Sequence, residues 1–201
     1  MRSGCPMLAL CGLLLGGCDR SAAVDAPLTE ADVAEVGAAA AQQLRQTLVQ
    51  RLTAAIDSGG AASAIGVCVT DAGALTDSIA RELGTGVEVK RTSARVRNAR
   101  NAPDSLELVA LAHFTSVADT TGELPDRYVQ PAGNGVYRYY EPLRVMPMCV
   151  QCHGPADSIA PDVRAVIAER YPEDRAMDYM PGDFRGLIRV SLPASAVRSE
   201  S

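Results

Sequence analysis

Cys149-Val150-Gln151-Cys152-His153-Gly154 is the stretch of this sequence in which residue type and spacing together specify chemistry. Two cysteines separated by two residues and followed at once by histidine form the attachment signature of c-type haem. The two thiols add to the two haem vinyl groups, and the adjacent imidazole then falls beneath the iron as an axial ligand. A Cys-x-x-Cys redox disulfide and half of a zinc site are the competing chemistries. A redox pair opens a helix behind a strand in a βαβ setting, whereas here Met146-Pro147-Met148 leads into the pair and Pro155 follows it. A structural zinc ion takes four thiol or imidazole ligands around a tetrahedron, which the neighbours Cys152 and His153 cannot easily share. The motif predicts one covalent haem c on Cys149 and Cys152, with His153 on the iron.

The other cysteines bear on location. Arg2 followed by the apolar run Met7 to Leu15 reads as an export leader too short to span a bilayer. Leu15-Gly16-Gly17-Cys18 resembles the box that precedes a lipidated cysteine, so residues 1–17 are expected to be a lipoprotein signal peptide, Cys18 the lipid carrier and 18–27 a tether. Several acyl chains on one cysteine anchor stably where a single chain does not. The expected location is the periplasm, lipid-anchored to the membrane, which agrees with haem c being attached outside the cytoplasm. Cys5 and Cys11 leave with the leader, and Cys149 and Cys152 hold haem, so of the six cysteines Cys68 is left over. A leftover cysteine in an oxidising compartment is worth a role.

His153 fills one axial position, and the group opposite it decides between electron transfer or redox sensing and gas binding. His113 lies in the apolar helical run Leu108 to Phe114, where a core or boundary histidine is the ordinary reading. Met180, in Tyr179-Met180-Pro181-Gly182, resembles the Met-Pro ligand segment of small cytochromes c; Met146, Met148 and Met177 are weaker candidates. Cys68, in Ala64-Ile65-Gly66-Val67-Cys68-Val69, is either a ligand or a buried thiol packing as a small hydrophobe.

The elements that must position these groups read as an α+β chain. Thr29 and Asp32 form a capping-box start, and Val33, Val36, Ala40, Leu44, Leu48, Leu52 and Ile56 recur at helical spacing until Gly59-Gly60 ends the helix. Ala61 to Leu83 is a second helical stretch, expected to break near Thr70-Asp71 with Asp71 as cap. Val87 to Arg91 alternates as a strand, Arg91 to Pro103 is an arginine-rich loop, and a helix runs from Asp104 or Ser105 to about Val117. Asn134-Gly135 marks a hairpin whose second strand delivers the chain to the motif. Pro161 to Arg170 reads as a helix. Phe184 to Leu192 contains a closing strand with Ile188, Val190 and Leu192 on one face. One domain, residues 28–197, accounts for all of this.

Five blocks in order carry a family resemblance: Ile65-Gly66-Val67-Cys68; Arg91-Thr92-Ser93 with Arg97 to Pro103 and Glu107; Cys149 to Gly154; Tyr171 to Ala176; and Gly182-Asp183-Phe184-Arg185-Gly186. Together, over roughly Thr29 to Pro193, they resemble the bacterial periplasmic haem c domain of PAS-like fold that is often fused to histidine kinases. The resemblance implies a PAS-like antiparallel sheet with a long N-terminal helix, and axial ligation by His153 and Cys68. Where the family has proline after the asparagine of the Arg-Asn pair, this chain has Ala99. A thiolate ligand would stabilise ferric iron and hold the potential low, where methionine would raise it. Arg91, Arg95 and Arg97 are candidates to pair with haem propionates, because a guanidinium fork matches a carboxylate.

The expected function is a membrane-anchored monohaem c-type cytochrome acting in redox or ligand sensing or low-potential electron transfer. The alternatives are an ordinary His/Met electron-transfer cytochrome using Met180, and a haem-based gas sensor whose distal ligand yields to a small gas molecule. A haem peroxidase needs a distal acid or base, for which His113 is the evident candidate, and it ranks last. No Ser/His/Asp set is present, so no enzyme chemistry is expected. A net charge of −5 argues against nucleic acid as a partner; the redox or signalling partner protein is not legible.

Overall fold

Thr29 begins the first helix as its spacing to Asp32 predicts. Its hydroxyl accepts from the Asp32 N–H at 3.2 Å, and the Asp32 carboxylate accepts from the Thr29 N–H at 2.7 Å. The fold is a computed structural model that describes Met1 and residues 28–200, without the side chains of Cys68, Asp71 and Glu200. The expected leader and tether, with Cys18, lie outside the described residues apart from Met1.

Helix α1, Glu30–Gly66, is kinked at Gly60, where φ 77° and ψ 172° admit little but glycine. The expected helix end at Gly59-Gly60 is therefore a bend from which the helix resumes at once. The expected break at Thr70-Asp71 does not occur. One π-helical turn, Val67–Asp71, carries the chain into α2, Ala72–Leu83, and the Ala72 N–H reaches back to the Val67 carbonyl. The widened turn carries the helix on where the sequence suggests a break, and such turns recur at functional sites.

Four strands form one antiparallel sheet: β1, Glu88–Thr92; β2, Tyr128–Gly133; β3, Val136–Arg144; and β4, Phe184–Pro193, in the order β1-β4-β3-β2. Asn134 and Gly135, at φ 52° and 71°, make the two-residue turn between β2 and β3 with the left-handed conformations that such hairpins require. The closing strand β4 is central and not an edge, and helices cover both of its faces. Ile188, Val190 and Leu192 lie under α1, as expected, with Val33, Ala40 and Leu44. Leu187 faces the other way, against α3, Ser105–Thr121, through Ala110, Leu111 and Phe114. This is the α+β, PAS-like arrangement that the sequence predicts, with a short terminal helix α6, Ala194–Glu200, closing the α1 face through Val197.

Helix α1 approaches the sheet at Gly37, where an added Cβ would lie 2.3 Å from the ring of buried Tyr139. Gly37→Ala should gain about 1 kcal/mol of helix propensity but cost about 1–3 kcal/mol in overpacking. A lower thermal midpoint than wild type is expected; a higher one would show that Tyr139 yields freely.

Candidate functional site

The apolar stripe of α1 is buried as far as Leu44, and beyond it Leu48 keeps only partial packing against the core. Leu48 and Leu52 are only half-buried, and with Val49 they line a cavity of about 1080 Å³ between α1 and the sheet. Tyr139, Leu143 and Ile188 supply sheet residues to the same wall, while Val145, Met146, Cys149 and His153 line it beyond the end of β3. A largely apolar cleft with a few convergent polar groups is the usual form of a cofactor site.

The Cys-x-x-Cys-His motif is held on one side of this cavity by short-range geometry. Val145 pairs with the returning chain through Val145 N–H to Asp183 O at 2.9 Å and Gly182 N–H to Val145 O at 2.7 Å. A 3-10 turn, Pro147–Cys149, then runs into α4, Val150–His153. The Gly154 N–H closes that turn on Val150 O at 2.9 Å, and a Cβ at Gly154 would lie 2.5 Å from the same oxygen, which accounts for glycine after the histidine. Cys149 packs beside Val145, Ala176 and Tyr179. Cys152 packs against Ile65, Ile159 and Ile167, joining the motif to the end of α1 and to α5, Pro161–Arg170. The sheet is wholly antiparallel, so the pair does not sit in a βαβ unit. Among the described residues no three His, Cys, Asp or Glu side chains gather as a metal cluster.

His153 is fixed in one tautomer. Its Nδ1 lies 2.6 Å from the Ala176 carbonyl, so Nδ1 carries the proton and Nε2 keeps its lone pair. The Tyr179 N–H bonds to the His153 carbonyl at 2.9 Å, and the Asp178 N–H to that of Gly154 at 2.8 Å. Burial, followed by the charges of Arg97 and Arg185, brings the His153 pKa down to about 3 against the opposing pull of Ala176 and Asp174. The imidazole is neutral at physiological pH, as a metal-ligating histidine must be.

Of the three arginines singled out in the sequence, two line the cavity. Arg91 reaches it from β1, and Arg97 reaches it while clamping the motif. The Arg97 Nη2 donates to Cys152 O at 2.6 Å and to Asp174 Oδ2 at 2.9 Å, with the two side chains only 10% and 4% exposed. The third, Arg95, is not among the lining residues. Its Nε donates to Arg175 O at 3.1 Å, its Nη2 donates to Met177 O, and its guanidinium lies 4.4 Å over the Tyr179 ring. Arg185, to which the sequence reading assigned no role, stands in the wall instead. Gly186, at φ 151°, lets β4 cross so near β1 that a Cβ there would lie 2.3 Å from Thr92 O. That crossing brings the Arg185 Nη1 to Ser93 Oγ at 2.7 Å.

The candidate axial groups separate. Met180 is 57% exposed, bonds through its N–H to Asp183 and does not line the cavity, whereas Met146 does. His113 stacks on Tyr128 with ring centroids 4.3 Å apart, as a boundary histidine on α3. Cys68 sits within the π-helical turn. Its side chain is not described, but Val67 and Ala72, at the start and just beyond the end of that turn, line the cavity. No described helix is long and apolar enough to cross a membrane.

No curated protein matches this chain. A solved structure of the cyanobacterial haem protein Tll0287 matches it with a TM-score of 0.63 and 24% identity, covering 83% of this chain and 97% of that one, a likeness of fold. The model of the Tll0287-like family matches residues 25–193, from before the cap of α1 to the last residue of β4, and the chain belongs to that family.

Proposed function

We propose that this protein binds one haem c in the cavity beside α1, covalently through Cys149 and Cys152, with His153 and Cys68 as axial ligands. On this reading it serves as a redox or ligand sensor, or as a low-potential electron carrier, in the periplasm and tethered to the membrane through a lipid on Cys18. The observation that carries the reading is His153 itself, a neutral imidazole oriented through Nδ1 by a backbone carbonyl, with Nε2 left for a metal, on the wall of a large apolar cavity. That the solved protein of the same fold is a haem protein supports it. Bound haem supplies one-electron chemistry between ferric and ferrous iron. The chain holds His153 in one tautomer, lines the cavity with Leu48, Val49 and Leu52, which would give a bound haem an apolar wall, and places the turn containing Cys68 at the cavity edge.

One observation favours a second reading. Met146, though itself partly solvent-exposed, lines the cavity and Met180 does not, so an ordinary His/Met cytochrome would draw its thioether from Met146. The test is the absorption spectrum of the haem-loaded protein, ferric and ferrous, for wild type, Cys68→Ala and Met146→Leu. A low-spin thiolate-type ferric spectrum lost only in Cys68→Ala is expected. A spectrum that Cys68→Ala leaves unchanged and Met146→Leu alters would replace the first reading by the second. Carbon monoxide binding to the reduced wild type would speak for gas sensing.

A further inference from the structure

The wall around Tyr179 holds more positive charge than the described residues neutralise. Arg97 has Asp174 at 2.9 Å, but no described carboxylate forms an ion pair with Arg185. The Arg185 Nη1 donates to Ser93 Oγ at 2.7 Å and to Arg95 O at 3.0 Å, and its Nε is buried with no acceptor; the Arg97 Nε is buried in the same condition. Both residues line the cavity. A guanidinium cannot escape burial by losing its proton, and a buried cation that lacks a counter-charge is among the least favourable arrangements in a fold. Burial pushes the Arg185 pKa down, the direction expected of a charge still waiting for its partner. A carboxylate fits the remaining edge, since Arg forks are matched by planar acceptors in a bidentate fashion.

We propose that Arg185, supported by Arg97, anchors a carboxylate of the molecule that fills this cavity and, resting on the haem reading above, that the carboxylate is a haem propionate. Arg185 thereby takes the place that the sequence suggested for Arg95, whose donors are engaged by backbone carbonyls.

The test uses haem-loaded wild type, Arg185→Leu and Arg185→Lys, read by the propionate-bending band in resonance Raman spectra and by the reduction potential. Arg185→Leu should shift the band and lower the potential, because the propionate loses its cation and ferric iron is favoured. Arg185→Lys should keep the potential near wild type while still shifting the band, since an ammonium is a point charge without the fork. If Arg185→Leu does not fold, the band in Arg185→Lys decides. A band unmoved in both variants overturns the proposal even if the potential falls, because the charge would then act only through space. Recovery of wild type without haem, checked first by its pyridine haemochrome, would sink the haem reading and this proposal together; a haem-loaded protein with an unmoved band sinks this proposal alone.

Discussion

Cys149→Ser/Cys152→Ser should lose all haem to acidic acetone, whereas wild type should keep its haem on the denatured polypeptide. Both thiols lie within one helical turn of His153 on the same segment, so the attachment points are arranged by local structure and not by distant packing. The double variant should still fold. Its cost is confined to two half-buried sulfur atoms beside Val145 and Ile159, on the order of 1–2 kcal/mol for the pair. Each single variant should retain a thioether to one vinyl group and remain coloured after denaturation. Haem that resists extraction in the double variant would mean that these thiols are not the attachment points.

The second large effect lies on the opposite face of the sheet. Glu107 is fully buried; its Oε2 accepts from Lys90 Nζ at 2.7 Å and from the Asp104 N–H at 3.0 Å, and its Oε1 lies 3.2 Å from Arg189 Nε as an ion pair without hydrogen-bond alignment. One carboxylate thus completes the capping box of α3 and neutralises two cations of the sheet. Removing one partner from a buried ionic cluster costs about 3–5 kcal/mol, because the remaining charges keep their desolvation penalty. Glu107→Ala should lose that much in urea unfolding. Glu107→Gln should lose less, since an amide oxygen can still accept from the Asp104 N–H. The haem spectrum of whatever folds should be unchanged, since α3 and this cluster lie across the sheet from α1. A loss below 1 kcal/mol in Glu107→Ala would show that the cluster is hydrated and not a support.

What could be read from the sequence was local. The Thr29 box, the Asn134-Gly135 hairpin and the Cys-x-x-Cys-His motif each depend on residues a few positions apart; the structure forms the first two as expected and sets the third on one short helical segment beside the cavity. Glu107 could be seen within one of the family blocks, but its partners Lys90 and Arg189 come from two strands whose pairing no local pattern specifies. The same limit explains the arginines. Arg97 meets Asp174 across 77 positions and Arg185 meets Ser93 across 92, so a list of basic residues could not show which are already engaged. The break expected at Thr70-Asp71 failed for another reason. A capping residue suits either a helix start or a tightly packed turn, and here the backbone continued through a π-helical turn.

The half-covered stripe Leu48, Val49 and Leu52 also bears on how the protein matures. A cofactor that seals an apolar wall and is then bonded to the chain makes loading an irreversible step of folding. On the proposed reading, before that step the molecule would display a greasy cleft of the kind that chaperones and proteases recognise, and after it the same surface would be interior. The helix that opens the domain would then also report whether the domain has been completed.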